Sequence, residues 1–335
     1  MNDKIDFVIL WVDGNDENWQ KEKNKYDTKK KTNDVNGIVR YRDWDNLMYW
    51  FRGVEKYTPW VNKIYFVTWG HVPKWLNVSH KKLKIVNHKD FIDEKYLPLF
   101  SSNAIEYNLH KIKGLSETFV LFNDDMFIID KMNKEEFFKN GKPCDSYNEV
   151  NLNMSEMDKT FASTLENNYR VLGKYYNKRK VILSNPFKYI NYKYGIKKNL
   201  QTIKTTVTYS KFKGINNEHV AQPFLKSYFY KVWNLEPILS DSTCSHRFRN
   251  KEDITQYLIR YFQLMDGNFY PKNPRFGKYF SVKEDNSELI NYIVNQKCKM
   301  ICINDSDTNI DFEKCKEEIN NAFEKILFEK SSFEK

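Results

Sequence analysis

Four short runs of branched and aromatic residues constrain this chain most: DFVILWV (6–12), KIYFVTW (63–69), KLKIVNH (82–88) and TFVLF (118–122). Each is too short for a helix of ordinary length and rich in side chains that suit a pleated surface, which predicts strands buried on both faces. Between the first two lies DWDNLMYWFRGVEKY, where Leu47, Trp50, Phe51 and Val54 fall at i, i+3, i+4 and i+7. That spacing gives one apolar helical stripe, with Asp43 or Asp45 available as its N-cap. Strand, helix and strand in alternation predict an α/β fold: a Rossmann-like, mostly parallel sheet flanked by helices.

After about residue 130 the pattern changes to polar sequence rich in Asn, Lys and Tyr, which predicts a helical, loop-rich insert or lobe over 131–245. Two later helices are marked by apolar spacing, one by Ile254, Leu258, Tyr261, Phe262 and Met265, the other by Phe312, Cys315, Ile319, Phe323 and Ile326. Between them KMICIND (299–305) reads as a further strand ending in an acid. No repeat or low-complexity linker divides the chain, so residues 1–335 are expected to form one domain, with an α/β half over 1–130 and a C-terminal part over 246–335 completing it.

The chain carries 54 Lys and Arg against 44 Asp and Glu, a formal charge of +10, which favours an anionic partner without saying which. Part of the excess sits in KEKNKYDTKKKT (21–32), read as a solvated basic loop. Five scattered cysteines without CxxC spacing exclude a disulfide framework and a structural zinc of the usual kind. MNDKIDFVIL has acids where a signal peptide needs bases, and no apolar run reaches the ~20 residues of a membrane span. The expectation is a soluble, cytoplasmic protein.

The 11 glycines never come closer together than ten residues, which excludes GxGxxG, the Walker A loop and GxSxG. If the chain handles phosphate, it must do so with carboxylate-held metal and with Arg, Lys or His side chains. LFNDDMFIID (121–130) sets Asp124 and Asp125 inside an apolar run, at the end of a predicted strand. In open α/β sheets ligands bind beyond the carboxyl ends of the strands, where this pair could hold Mg²⁺ or Mn²⁺. Asn-Asp-Asp also suits a plain turn. ICINDSD repeats the arrangement with Asn304 and Asp305, and LWVDGND with Asp13 and Asp16, so one sheet would deliver three sets of acids to one edge.

Among the histidines, His71, His80 and His88 lie beside strands or in turns and read as structural or exposed. His110 and His219 precede apolar segments, and spacing alone also favours a structural place for them. Arg249, in SHRFRNKED before a helix, stands where an anion is welcome; a salt bridge to Glu252 or Asp253 is the competing reading.

Taken together these stretches resemble the Stealth family, which comprises bacterial capsule and exopolysaccharide hexose-1-phosphate transferases and the catalytic part of animal N-acetylglucosamine-1-phosphotransferase. IDFVILWVDGNDENW (5–19) resembles the first of its four blocks. RYRDWDNLMYWFRGVEKYTPWVNKIYFVTWGHVPKWLN (40–77), continued in LPLFSSNAIEYNLHKIKGLSETFVLFNDDMF (97–127), resembles the second. EHVAQPFLKS (218–227) resembles the third, and SHRFRNKED (245–253) with KMICINDSD (299–307) the fourth. Trp44, Trp69 and Leu99 depart from the family pattern, where small or polar residues, and Thr for the last, are usual.

The resemblance implies a fold similar to nucleotide-sugar glycosyltransferase A folds and a UDP-sugar donor. An oligo- or polysaccharide acceptor, lipid-linked in some settings, attacks the β-phosphorus, and UMP leaves. It implies metal at Asp124, Asp125 and Asp305, and catalytic roles for Asp13, Asp125, His219 and Arg249. Donor contacts are expected from Trp11, Gly14, Asp16, Arg42, Asp43, His110 and Asn304, with either Asp125 or Asp13 accepting the hydroxyl proton. The site would lie in the cytoplasm, compatible with peripheral association at the inner face of the plasma membrane, and takes no nucleic acid. Two rivals share the composition: a metal-dependent glycosyltransferase that releases UDP, and a non-catalytic basic module that binds polyanions.

Overall fold

In the computed structural model, which describes residues 4–27, 42–305 and 310–335, the four predicted strands form one sheet. They are β1 (Ile5–Leu10), β2 (Ile64–Thr68), β3 (Leu83–Asn87) and β4 (Thr118–Phe122). Their order is β3-β2-β1-β4, all parallel, with Phe7 opposite both Ile64 and Val120, and Ile64 opposite Leu83. Phe7, Val8, Ile9, Tyr65, Phe66, Phe119 and Val120 are fully buried, as expected of a sheet covered on both faces.

The remaining strands are short. β5 (Met126–Ile128) follows β4 at once; β6 (Phe138–Lys139), β7 (Lys142–Asp145) and β9 (Tyr270–Pro271) make a small three-stranded sheet. β8 (Gln222–Leu225) adds an antiparallel edge to the main sheet beside β4, with Leu121 opposite Gln222. The segment 131–245 is therefore not wholly an insert, because its third family-like stretch returns to the main sheet. β10 (Gly277–Ser281) and β11 (Met300–Asn304) join β5 in a third sheet, β11 running parallel to β10 and antiparallel to β5.

This third sheet corrects one expectation. The acids after KMICIN are not delivered by the sheet that carries Asp13 and Asp124. The chain turns at Asn123–Asp125, with Met126 N–H bonding the Asn123 carbonyl at 3.2 Å, and β5 leaves to pair with β11. LFNDDMFI is two strands of two sheets with the acids at the corner.

The helix Leu47–Tyr57 covers the main sheet with Trp50, Phe51 and Val54, all fully buried. A Cβ on Gly53 would lie 2.6 Å from the Ile128 carbonyl, so glycine is what lets this helix touch β5. The helix ends where Thr58 turns its hydroxyl back onto the Val54 carbonyl at 2.7 Å, just before Pro59. Neither predicted cap is used. The N-cap is Asn46, without a side-chain bond, while Asp43 Oδ1 accepts from Asp45 N–H at 2.8 Å and closes a turn ahead of the helix.

Residues 21–26 of the predicted basic loop belong instead to the helix Glu17–Tyr26; residues 28–32, like 306 and 307 of the fourth family-like stretch, lie outside those described. The C-terminal helices run over Gln256–Met265 and Phe312–Ile326. Arg52, 7% exposed, ties the last of these and the residues after it to the helix Leu47–Tyr57, bonding Glu324, Glu334 and the Leu327 carbonyl.

Candidate active site

β1 delivers the first acids. Trp11 continues the ladder by donating to the Val67 carbonyl at 3.0 Å, and packs edge-on against His71. Asp13 N–H donates to His71 Nε2 at 2.8 Å, which requires that nitrogen to be unprotonated. Burial lowers the His71 pKa and holds it neutral, against the pull of Asp16 and Asp13. His71, read from the sequence as structural or exposed, thus positions the acid-bearing turn. Asp16 caps the helix Glu17–Tyr26 by accepting from Trp19 N–H at 2.7 Å, and the Gly14 carbonyl accepts from Gln20 Nε2 at 2.7 Å.

β4 and β11 meet at Asp125. Its carbonyl accepts from Ile303 N–H at 2.8 Å, and its Oδ2 accepts from the Cys302 thiol at 3.3 Å. Because β8 runs antiparallel to β4, the residues just before β8 arrive at the same edge. His219, with φ +46°, sets Nε2 3.9 Å from Asp125 Oδ2. Its Nδ1 lies 3.3 Å from the Tyr257 hydroxyl and its ring meets Tyr279 edge-on, so the imidazole is held on two sides. Asp125, His219 and Cys302 present ligand atoms within 4.8 Å of one another.

Asp124 is open to solvent, but the protein around it displaces much of the bulk water. That desolvation, together with Asp125 and, more weakly, Asp43, raises its carboxyl to about 7. Asp43, exposed like Asp124, is itself raised by the protein that displaces water around it and by the charges of Asp45 and Asp13, while its turn bond and Lys316 oppose the shift. The acids of β1, of the turn before the first long helix and of β4 therefore repel one another as one group. Asp305 closes this edge from β11, with Arg42 Nη1 3.7 Å from its Oδ2 and the Arg42 guanidinium over the Phe312 ring. Asn304 pairs with Ser281 across β10.

The cationic side comes from the loop before Gln256–Met265. Arg249 Nη2 donates to Ser102 Oγ at 2.7 Å, on the helix Ser102–Tyr107. The competing salt bridge is not made; Asp253 instead accepts from Asn250 N–H and pairs with His246. One turn along from Ser102, Glu106 is 3% exposed and raised to about 7 by burial, against the opposing pull of Arg249 and His219 and with a push from Asp125. Glu106, Tyr257, Tyr279 and Cys302 were not singled out by sequence reasoning. The one available signal was an acid in the apolar run AIEY.

Of the sequence-derived set, Asp125 and His219 come together, with Asp124, Asp43 and Asp13 coupled to Asp125 or to one another by charge, while Arg249, His219 and Asp125 all act on Glu106. His110 is not brought to them. Its ring is enclosed by Phe229, Tyr230 and Trp233, and burial lowers its pKa to about 3.

Two family models match this sequence: Stealth protein CR1, conserved region 1, over residues 3–31, and Stealth protein CR2, conserved region 2, over residues 40–145. Among curated proteins the chain is 42% identical to a capsular polysaccharide phosphotransferase, WcwK, of Streptococcus pneumoniae, over 99% of this chain and 98% of that one. It is 39% identical to the exopolysaccharide phosphotransferase cps2G of Lactiplantibacillus plantarum (99% and 96%), and 35% identical to the receptor polysaccharide phosphotransferase WefC of Streptococcus oralis (99% of each). Among solved structures, galactosyltransferase LgtC in complex with donor and acceptor sugar analogs has a TM-score of 0.41 and 11% identity over 94% of this chain and 95% of that one, too low a score to carry weight.

Proposed function

The chain belongs to the Stealth family, and from that premise we propose that it transfers a sugar-1-phosphate from a UDP-sugar to a hydroxyl of a capsular or exopolysaccharide acceptor, releasing UMP. The observation that carries the reading is the meeting of Asp125 with His219 at the joined ends of two sheets, beside Asp124, with Arg249 and His219 both acting on the buried Glu106. Phosphoryl transfer needs charge compensation and positioning more than covalent help, and this edge offers both.

The acids fit a divalent cation. Asp125 Oδ1 is buried without a hydrogen-bond partner among the described residues, and the mutual repulsion of Asp124, Asp125 and Asp43 is what a cation relieves. Asp124, Asp125 and Asp305 are the hard oxygen donors that suit Mg²⁺ or Mn²⁺. The Cys302 thiol, kept protonated by burial and by Asp125, serves as a hydrogen-bond donor to Asp125. When bound, the ion neutralises the diphosphate.

The other roles fall to the chain. Arg249, anchored through Ser102, presents its guanidinium to phosphoryl oxygens. His219, oriented by Tyr257, accepts the proton of the attacking hydroxyl, and Asp125 stabilises the imidazolium that results. A carboxylate that also holds a cation is a weaker base, which favours His219 over Asp125 for the proton itself. Trp11, Gly14, Asp16, Arg42 and Asp43 line the donor side, with Asn304 at the end of β11.

The test follows the phosphorus. With a UDP-sugar labelled at the β-phosphate, the label should enter the acceptor as a phosphodiester while unlabelled UMP accumulates. Labelled UDP with a phosphate-free product would assign the site to glycosyl transfer instead.

A further inference from the structure

The helix Ile196–Thr208 is built inside out. Its buried positions are Thr202 and Thr205, while Ile196, Leu200, Ile203 and Val207 are 80, 61, 40 and 71% exposed. Those four stand at i, i+4, i+7 and i+11, one stripe along a helix about 20 Å long. A lone exposed apolar residue is ordinary, but an aligned set marks a contact surface.

The orientation is locked from within. Thr202 Oγ1 accepts from Glu149 N–H at 3.1 Å, and Thr206 Oγ1 donates to Glu149 Oε2 at 3.4 Å. Glu149 in turn pairs at 2.8 Å with Lys178, both side chains fully buried, and Lys178 Nζ reaches the Thr205 carbonyl. Rolling the stripe inward would strand a buried ion pair.

The surface extends beyond the helix. Asn191 and Asn199 exchange two hydrogen bonds, which join the preceding turn to it, and there Leu183, Phe187 and Tyr192 are 75, 83 and 85% exposed. Arg179 bonds the Thr206 and Val207 carbonyls at its far end. Exposed Lys180, Lys193, Lys197 and Lys204 are interleaved with these apolar groups.

Charge identifies the partner. Residues 167–217 contain 12 Lys and Arg and no Asp or Glu. With 54 basic and 44 acidic residues in all, the rest of the chain holds 42 against 44, a net of −2. The segment's +12 exceeds the +10 of the whole chain, and all other stretches, the basic 21–32 among them, sum to −2.

We propose that this face docks on an anionic lipid bilayer, the stripe of Ile196–Thr208 seated among the headgroups and the lysines on lipid phosphates. The stripe on Ile196–Thr208 is wholly aliphatic and offers no base stacking, which disfavours a nucleic acid there, and no described helix is long and apolar enough to cross a membrane. The inference is independent of the reaction at Asp125.

Cosedimentation tests it, with vesicles of phosphatidylcholine alone and of phosphatidylcholine and phosphatidylglycerol in equal parts. The wild type should bind the mixed vesicles and be released by salt. Leu200→Glu with Val207→Glu, and separately Lys197→Glu with Lys204→Glu, should each weaken binding by roughly tenfold or more. Both should leave turnover of a UDP-sugar with a soluble glycan unchanged, since none of the four touches the site. Equal binding to neutral vesicles, or undiminished binding by both variants, would overturn the proposal. So would light scattering that shows a wild-type dimer dissociated by Leu200→Glu, which would make the face a contact between copies of the chain.

Discussion

At the ends of β1, β4 and β11 the chain gathers acids, and on Ile196–Thr208 it gathers lysines around exposed aliphatic groups. The two regions invert each other. In the first, apolar strands are buried and polar groups emerge only where the strands stop. In the second, threonines and an ion pair are buried and the apolar residues face outward. The contrast teaches that polarity alone does not tell inside from outside. What decides is whether each buried polar group finds a partner, and Thr202, Glu149 and Lys178 do. The charges are segregated in the same sense: acids stand at the strand ends, and the net positive charge lies over 167–217.

Variants can separate the two regions. Asp125→Asn should reduce phosphotransfer by about 10³-fold, the scale for losing a preorganised electrostatic group, with vesicle binding intact. In the wild type Mn²⁺ should raise the Tm more at pH 8 than at pH 6, because Asp124, raised to about 7, must lose its proton to bind. A Tm shift retained in Asp125→Asn would break the assignment.

Lys178→Met attacks the inverted region from within. It leaves Glu149 buried and unpaired, so it should cost about 3 kcal/mol by denaturant unfolding. If stability were unchanged, the polar interior of that helix would not be what orients it.

Arg249→Lys keeps the charge but loses the planar fork, and should lower kcat by about 10²-fold with little change in KM. An effect confined to KM would make Arg249 a ground-state contact.

Glu106→Gln acts through pH. The native carboxyl, raised to about 7, keeps its proton where the unfolded chain has lost it, so wild-type stability falls from about pH 4.5 to 7 and then levels. The glutamine variant should therefore be more stable than wild type above pH 7, by up to roughly 3 kcal/mol, and no more stable near pH 4. Parallel Tm profiles at all pH values would show that burial of this charge is not costly.

The strands were legible because both faces are covered, so their apolar runs are unbroken: residues 6–12, 63–69, 82–88 and 118–122 were read within a residue or two of the observed strands. The helix stripe of Leu47, Trp50, Phe51 and Val54 was legible for the matching reason. Its cap was not, because Asp43 closes a local turn that competes for the same carboxylate. Glu106 went unread because an acid on a short helix looks solvated until Arg249, 143 positions on, is folded against its neighbour Ser102. Residues 131–245 were legible as helical and polar, yet the inversion of Ile196–Thr208 was not, since apolar spacing alone turns a stripe inward and the opposite outcome is set by the distant Glu149 and Lys178.

By itself the sequence determined the parallel α/β unit, the acids at the strand ends and the segment that carries the net charge, all of which follow from neighbours along the chain. Tertiary structure alone decided that Asp125 belongs to a corner between two sheets, that His219 reaches it across an antiparallel edge, and that Ile196–Thr208 turns its apolar stripe outward. Each of these depends on partners tens to hundreds of residues apart, and it is the pairing of strands and the satisfaction of buried charges that brings such partners together.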